Sequence, residues 1–309
     1  MIILRFLILF FIANSIYSQT AFAPYARALW LQPSVFRSEY ITPFAPSPYR
    51  IVVFQSAIQY GITDRLTFDM TIGYGKISKI SDYYPYAGVE YENRSTTKHG
   101  FIDSRIGLRY KLLDEYDSKY NWMPTLSIRL AGIKKGDYDR RPQSLGDGAN
   151  GGEVNLYFAK DFNFYGLGTF GDVGHRKREN PIPDDRLYSG FLYKNLWKNF
   201  FIVVGYRGQK SLGGYPFADP AQNESQFPPT VQAPSNQPVS LENLLIANWL
   251  ANERPDWARK ETFLRREYSI GFRDADGNFY TLYYSKTISG ENSPFLETFG
   301  LIANFNIYL

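Results

Sequence analysis

Charged side chains recur at every second position in several stretches of this 309-residue chain. In residues 99–113, HGFIDSRIGLRYKLL, acidic and basic residues alternate with apolar ones. Charged residues occupy the corresponding alternate positions in several stretches of the chain. They are Asp69, Asp103, Arg105, Arg109, Lys111, Arg129, Arg207, Arg265, Glu267 and Arg273. Arginine binds carboxylates and other anions through paired N–H donors. The residue types therefore predict ion pairing, or binding of anionic and polar solutes, rather than covalent catalysis.

Two motifs with the spacing of ligand sites are better interpreted as strand and turn. Residues 166–171, GLGTFG, have the dinucleotide-loop spacing, but no helix follows, so we interpret these glycines as relieving crowding in a barrel wall. Residues 274–278, DADGN, begin like a calcium loop but lack its bidentate glutamate, which predicts a hairpin turn. The sequence thus predicts no cofactor and no metal.

The two histidines, His99 and His175, do not complete a catalytic set. Neither has the neighbouring Ser and Asn that a phospholipase barrel uses. Asp172 near His175 only faintly matches the acidic residues and histidine of omptin-type protease barrels. No nucleophile has a recognisable orienting partner, so we predict that the protein is not an enzyme.

The elements that must position the charges are long β-strands. In residues 60–75, YGITDRLTFDMTIGYG, apolar side chains alternate with Thr67, Asp69 and Thr71. A strand places these two sets on opposite faces. The same alternation returns in residues 125–131, 153–159, 200–208, 265–273, 278–286 and 299–309.

The links between strands alternate in length, which predicts an up-and-down meander. Short links fall at 61–65, 112–120, 159–162, 194–199 and 274–278; longer ones fall at 41–49, 77–99, 134–151, 175–185, 212–263 and 288–294. We expect an all-β, antiparallel transmembrane barrel of about twelve strands, with ten or fourteen left open. Pro33 would have to lie at an edge or bulge of the first strand. The alternative is a soluble sandwich, whose strands are usually about five or six residues long.

Composition agrees with a barrel in the outer membrane of a diderm bacterium. Aromatic residues make up 17% of the chain, and the formal net charge of +4 is scattered, so no nucleic-acid partner is predicted. The absence of cysteine excludes disulfides and thiolate sites. Residues 1–18 match a signal peptide, which leaves 19–309 as one barrel domain among outer-membrane lipids.

Two segments carry a family resemblance. Residues 60–68, YGITDRLTF, and 28–36, ALWLQPSVF, resemble outer-membrane channels of the phenol-degradation meta-pathway type, which are distantly similar to fatty-acid-transporter barrels. That resemblance implies a barrel and passage of small, hydrophobic compounds. The last strand, with Phe299, Phe305 and Tyr308, also resembles the signal that the barrel-assembly machinery recognises, although Leu309 replaces the usual terminal Phe.

The long loop 213–260 contains a candidate lid. After a stretch rich in Pro, Gln and Asn, Ser240 is a predicted N-cap of an amphipathic helix. Its apolar face is formed by Leu241, Leu244, Leu245 and Trp249. We expect this helix to fold against the barrel mouth as a lid or partial plug; the alternative is that it packs on neighbouring loops, or contacts a partner or the outer leaflet.

The predicted function is a channel or transporter that passes small molecules through a narrow charged lumen. The interior charges fit either a passage that favours anionic or polar solutes or an ion-pair network that fills the barrel. The alternative function is a non-conducting structural or surface-interaction barrel that binds extracellular partners through its long loops.

Overall fold

All secondary-structure elements in the described part of the chain are β-strands. The structure, a computed structural model, describes residues 23–40, 50–80, 96–116, 123–137, 149–162, 166–179, 182–197, 199–213, 262–291 and 296–309. No helix within these ranges is long and apolar enough to cross a membrane. The predicted signal peptide and the candidate lid residues Leu241, Leu244, Leu245 and Trp249 lie outside the described residues.

The strands are mostly 10 to 15 residues long, which is enough to cross a bilayer at the tilt of a barrel. In chain order they are β1 (Ala28–Tyr40), β2 (Arg50–Gly61), β3 (Leu66–Ile80), β4 (Thr96–Phe101), β5 (Ser104–Leu113), β6 (Thr125–Lys134), β7 (Gly151–Asp161), β8 (Leu167–Arg178), β9 (Asp185–Trp197), β10 (Phe200–Ser211), β11 (Thr262–Arg273), β12 (Phe279–Glu291) and β13 (Leu296–Tyr308). Several run further into the predicted links than expected; β8, for example, continues to Arg178.

Segments β4 and β5 form one interrupted strand, so the barrel has twelve strands. Both pair with β3: Tyr74 lies opposite Phe101 of β4, and Leu66 lies opposite Tyr110 of β5. At the interruption, the backbone N–H of Ile102 donates to the carbonyl of Gly73 at 3.0 Å. The Ile102 side chain fills the space that a Cβ at Gly73 would need. The predicted count of twelve is confirmed.

The sheet closes because β1 pairs antiparallel with both β2 and β13. Every other strand also pairs antiparallel with its sequence neighbour. Closure satisfies the backbone groups that a free edge would expose, which a bilayer core requires. Pro33 lies inside β1, opposite Ser56 of β2. The ladder between β1 and β13 has no paired residues at Gln32 and Pro33. The N–H that proline lacks therefore falls at a gap in that ladder.

The two faces of the barrel have opposite polarity. Outward side chains are apolar and exposed, such as Ile72, Leu130, Leu192 and Leu282. The alternate positions point inward and are largely buried polar or charged residues. This inverted pattern is that of a barrel surrounded by lipid. Asp69 is buried while Ile72 and Tyr74 are exposed, which confirms the two faces predicted for this strand.

The predicted short turns lie together at one end of the barrel. In the β2–β3 turn, the hydroxyl of Thr63 accepts the N–H of Leu66 at 2.9 Å. In the β11–β12 turn, Asp274 accepts the N–H groups of Asp276 and Asn278, each at 2.9 Å, and Gly277 has a φ of 80°. Residues 274–278 are thus a hairpin turn as predicted, at the end that faces the periplasm in barrels of this type.

Candidate functional site

The barrel interior between β3 and β8 holds a chain of alternating charges centred on Arg129. Its guanidinium donates to Asp69 of β3, with Nη2 at 2.6 Å and Nε at 2.8 Å from Oδ1. Its Nη1 lies 3.3 Å from Glu153 of β7. Glu153 in turn accepts from Arg176 of β8 at 3.0 Å, and Arg105 lies 3.9 Å away. Alternating β-strand positions bring these residues, distant in sequence, to one wall.

Arg109 is the most deeply buried of the predicted interior arginines. It is 1% exposed and lies directly opposite Arg129 in the β5–β6 ladder. Its guanidinium lies 4.5 Å from the centre of the Tyr157 ring, a cation–π distance. The two arginines thus lie side by side inside the barrel, and Asp69 and Glu153 are the carboxylate partners of Arg129.

Near the long-loop end, the charge network continues on β8 and β9. Arg178 donates to Asp185 at 2.5 Å, and Asp185 also accepts the hydroxyl of Ser211 at 2.8 Å. Asp185 is 0% exposed. Lower on β8, Asp172 accepts from Ser189. These contacts tie β8, β9 and β10 together on the inner face.

A second arginine pair lies on β10 and β11. Arg207 is directly opposite Arg265 in the ladder. Arg207 donates to Glu267 at 2.8 Å, and the Arg265 guanidinium lies 4.3 Å from the Phe263 ring centre. Since β10–β11 and β5–β6 are nearly opposite in a ring of twelve strands, two arginine pairs approach the lumen from different walls.

The structure places the ten predicted interior charges at different depths. Asp69, Arg109, Lys111, Arg129 and Glu267 are buried; Asp103, Arg105, Arg207 and Arg265 are half-buried; Arg273 is exposed. Asp103 falls in the break between β4 and β5 and accepts the N–H of Gly136 at 2.9 Å. Arg273 ends β11 at the short-turn end and stacks on Phe279 at 4.5 Å. Arg129 joins Asp69 directly, whereas Arg207 and Glu267 form a separate group.

Sequence reasoning did not identify an aromatic cluster that shares the interior. It comprises Tyr157, Ala159, Phe170, Phe191, Phe201, Val203, Tyr283 and Ile302, with Phe36, Tyr193 and Phe279 beside it. Phe170 and Phe191 stack at 4.9 Å. In β8, Phe170 points inward, whereas its neighbours Thr169 and Gly171 point outward. Assigning apolar residues to the outer face therefore gives the wrong orientation for this strand.

A row of uncharged polar side chains was also missed. Gln59, Gln32, Asn304 and Thr281 occupy the inner faces of the neighbouring strands β2, β1, β13 and β12, each 3% exposed or less. Each has at least one side-chain polar atom without a hydrogen-bond partner. Polar groups buried in this way favour water or a hydrogen-bonding solute as partner. Their position in the inward phase was the available sequence signal.

The faint catalytic resemblance at Asp172 and His175 does not correspond to a site. Asp172 points inward, whereas His175 lies on the outer face, 3.5 Å from Asp184. His99 is exposed on β4. The residues 166–171 lie at the turn and first half of β8, where a Cβ at Gly168 would be 2.2 Å from the Tyr193 ring. These glycines make room for side-chain packing, as the sequence predicted.

A closed antiparallel barrel with an apolar outer band and a charged interior defines a transmembrane β-barrel of the outer-membrane type. The structure superimposes on the COG4313 outer membrane channel from Pseudomonas putida F1 with a TM-score of 0.63 and 10% identity, covering 96% of this chain and 100% of that one. The predicted outer-membrane barrel fold is thus confirmed.

Two other solved barrels are less similar. The translocator domain of the autotransporter NalP from Neisseria meningitidis gives a TM-score of 0.46 at 10% identity, covering 91% of this chain and 88% of that one. The P. putida toluene transporter TodX gives 0.39 at 10% identity, covering 94% and 91%. No protein-family model and no curated protein matches the chain.

Proposed function

We propose that the protein is an outer-membrane channel that passes small molecules through a narrow lumen with a charged wall. The observation that carries this proposal is that two pairs of directly opposed arginines, Arg109 with Arg129 and Arg207 with Arg265, lie on the inner face of the closed barrel. One arginine of each pair binds a carboxylate, Asp69 for Arg129 and Glu267 for Arg207. That the superimposed P. putida F1 protein is an outer membrane channel agrees with this proposal.

The aromatic cluster supports a narrow passage. Phe170, Phe191 and Phe201 occupy the inner faces of adjacent strands in the half of the barrel nearer the short turns. Their rings project into a lumen that a barrel of this size largely fills with side chains. Arg207 lies 5.7 Å from the Phe191 ring, so charged and aromatic surfaces meet at this level.

The solutes that this surface favours are small anionic or polar molecules. Opposed arginines attract carboxylates and phosphates and repel cations. The family resemblance implies hydrophobic compounds instead, and the aromatic cluster would accommodate these. The two solute classes are therefore the central comparison of the experiment.

Swelling of proteoliposomes tests the proposal. Purified protein is reconstituted, and swelling rates are compared for anionic, neutral polar, cationic and neutral apolar solutes of matched size. We expect the anionic and neutral polar solutes to enter faster than the cationic one. Faster entry of the apolar solute alone would contradict the proposed solute class.

The second candidate function is a non-conducting surface-interaction barrel. It is favoured by the extent to which ion pairs and rings fill the interior, as in the pairs of Arg129 with Asp69 and Arg178 with Asp185. A protein that folds, shows heat-modifiable gel mobility and passes no solute supports this candidate and contradicts the channel. Recognition of the last strand by the barrel-assembly machinery stays a prediction.

A further inference from the structure

The outer face of the barrel carries a row of basic side chains at the long-loop end. His175 of β8 lies directly opposite Arg186 of β9, and Arg186 lies directly opposite Lys210 of β10. All three point outward, because the adjacent Arg176 and Asp185 are buried on the inner face. Arg186 and Lys210 are exposed. This row, defined by His175, Arg186 and Lys210, is called the outer basic row below.

Among the described residues, Asp184 is the one carboxylate that pairs with the outer basic row. Like charges directly opposite one another in a ladder destabilise the sheet. Asp184 faces the row, with Oδ2 3.5 Å from His175 Nε2, while its Oδ1 accepts the backbone N–H of Arg178 at 3.0 Å. Arg186 and Lys210 are in none of the ion pairs between described residues. An anion supplied from outside the protein would relieve this repulsion.

Tyrosines fix the level of the outer basic row in the membrane. Tyr188 follows Arg186 on the outer face of β9, and Tyr206 precedes Lys210 on the outer face of β10. Gly208 lies opposite Tyr188, and a Cβ at Gly208 would be only 2.2 Å from the Tyr188 ring, so the ring lies flat over the glycine. Tyrosine belts mark the boundary between hydrocarbon and headgroups. The outer basic row therefore lies at headgroup level of the outer leaflet.

An apolar groove lies below and beside the row. It has a volume of about 660 Å³ on the outer face. Its outward-facing lining includes Val35, Ile202, Val204, Ile270, Leu282 and Leu301. Val204 lies six positions before Lys210 on β10, a separation of about 20 Å along a strand. That separation matches a lipid whose headgroup is at the row and whose hydrocarbon chain reaches the groove.

We propose that the outer basic row and the groove together bind a phosphate-bearing glycolipid of the outer leaflet. Arg186 and Lys210 hold the phosphate through charge-assisted hydrogen bonds, and the groove holds an acyl chain. This site faces lipid, so it is independent of whether the lumen conducts. It requires only the outer-membrane barrel fold.

Native mass spectrometry of the intact detergent-solubilised barrel tests the site. The probes are bisphosphorylated lipid A and the same lipid with its phosphates removed. The double variant Arg186→Gln/Lys210→Gln removes both charges, and the single variants Arg186→Gln and Lys210→Gln provide a second set should the double one fail to fold. Lys194→Gln is the matched control, because Lys194 is exposed on the outer face of β9 near the short-turn end.

We expect the wild type and Lys194→Gln to retain the phosphorylated lipid and to release its dephosphorylated form. The double variant should bind the phosphorylated lipid roughly thirtyfold more weakly, since each of the two basic residues near a lipid surface contributes about 1 kcal/mol. Equal retention by the double variant, or equal retention of the two lipid forms, would overturn the proposal. Heat-modifiable gel mobility verifies that each variant is folded.

Discussion

Arg109 and Arg129 face each other directly across the β5–β6 ladder, and both are buried inside the barrel. Directly opposed like charges destabilise a sheet unless other groups compensate. Here Asp69 binds Arg129 through two nitrogens, and the Tyr157 ring covers Arg109. The pair is thus stable because the carboxylate comes from β3 and the ring from β7, the two strands that flank β5 and β6.

Replacing Asp69 with Asn tests this compensation. The variant keeps the shape of the side chain but removes the charge that holds Arg129 beside Arg109. Breaking a buried ion pair costs about 3 kcal/mol or more, so the free energy of unfolding should fall by that amount. Urea unfolding in micelles measures it. The control Asp276→Asn, in an exposed turn, should change stability by less than about 0.5 kcal/mol. Equal effects of both replacements would contradict the account.

Replacing Phe191 with Ala tests the aromatic cluster as a constriction. The ring stacks on Phe170 at 4.9 Å, and its loss opens space in the lumen. We expect single-channel conductance to rise, with a loss of stability of about 3 kcal/mol. The control is Leu192→Ala on the lipid face of the same strand. A conductance that rises equally in the control, or in neither variant, would show that the cluster does not limit passage.

A pair of opposed glycines tests the packing of the outer wall. Gly171 and Gly190 face each other on β8 and β9. A Cβ at Gly171 would lie 2.3 Å from the carbonyl oxygen of Ser189, whereas a Cβ at Gly190 meets nothing within 4 Å. Gly171→Ala should lower the unfolding free energy by about 1–3 kcal/mol. Gly190→Ala should leave it unchanged or raise it by about 0.5 kcal/mol. The reverse order in thermal or urea unfolding would mean that the backbone there is arranged differently.

The turn carboxylate Asp274 should link stability to pH. Burial raises its pKa, but hydrogen bonds from Asn278, Asp276 and Tyr280 outweigh burial, so its pKa is lowered in the folded protein. A lowered pKa means that the stabilisation is present above the unfolded pKa and is lost as the pH falls through the folded one. Asp274→Ala should cost about 1 kcal/mol at neutral pH. Stability of the variant should depend less on pH below about 4 than that of the wild type. An identical pH profile in urea unfolding would contradict this role.

The alternation of side chains was sufficient to predict the architecture. In β3, the alternation of Leu66, Phe68 and Met70 with Asp69 correctly predicted which side chains face outward and which face inward. Successive side chains of any strand point to opposite faces, so this inference needs no knowledge of the fold. Alternate short and long links gave the strand order. The interruption between β4 and β5 was not predictable, because it depends on Ile102 folding over Gly73 of a neighbouring strand.

The site was predicted less completely, for reasons of register. The position of Asp69 among the inward residues predicted that it would pair with an inward arginine. Its partner, Arg129, lies two strands away, and the stagger of the strands in the closed sheet determines which arginine comes within reach. Glu153 alternates with the outward residues Val154 and Leu156 and could have been identified. Phe170 could not, since Thr169 and Gly171 take the outward positions beside it.

The zero-current potential across a planar bilayer, measured with wild-type protein in a potassium chloride gradient, tests the central claim most directly. The two opposed arginine pairs of the inner wall, Arg109 with Arg129 and Arg207 with Arg265, predict a small conductance whose zero-current potential has the sign for chloride selectivity. A folded barrel that conducts nothing, or one that selects potassium, would contradict a channel whose selectivity these arginines set.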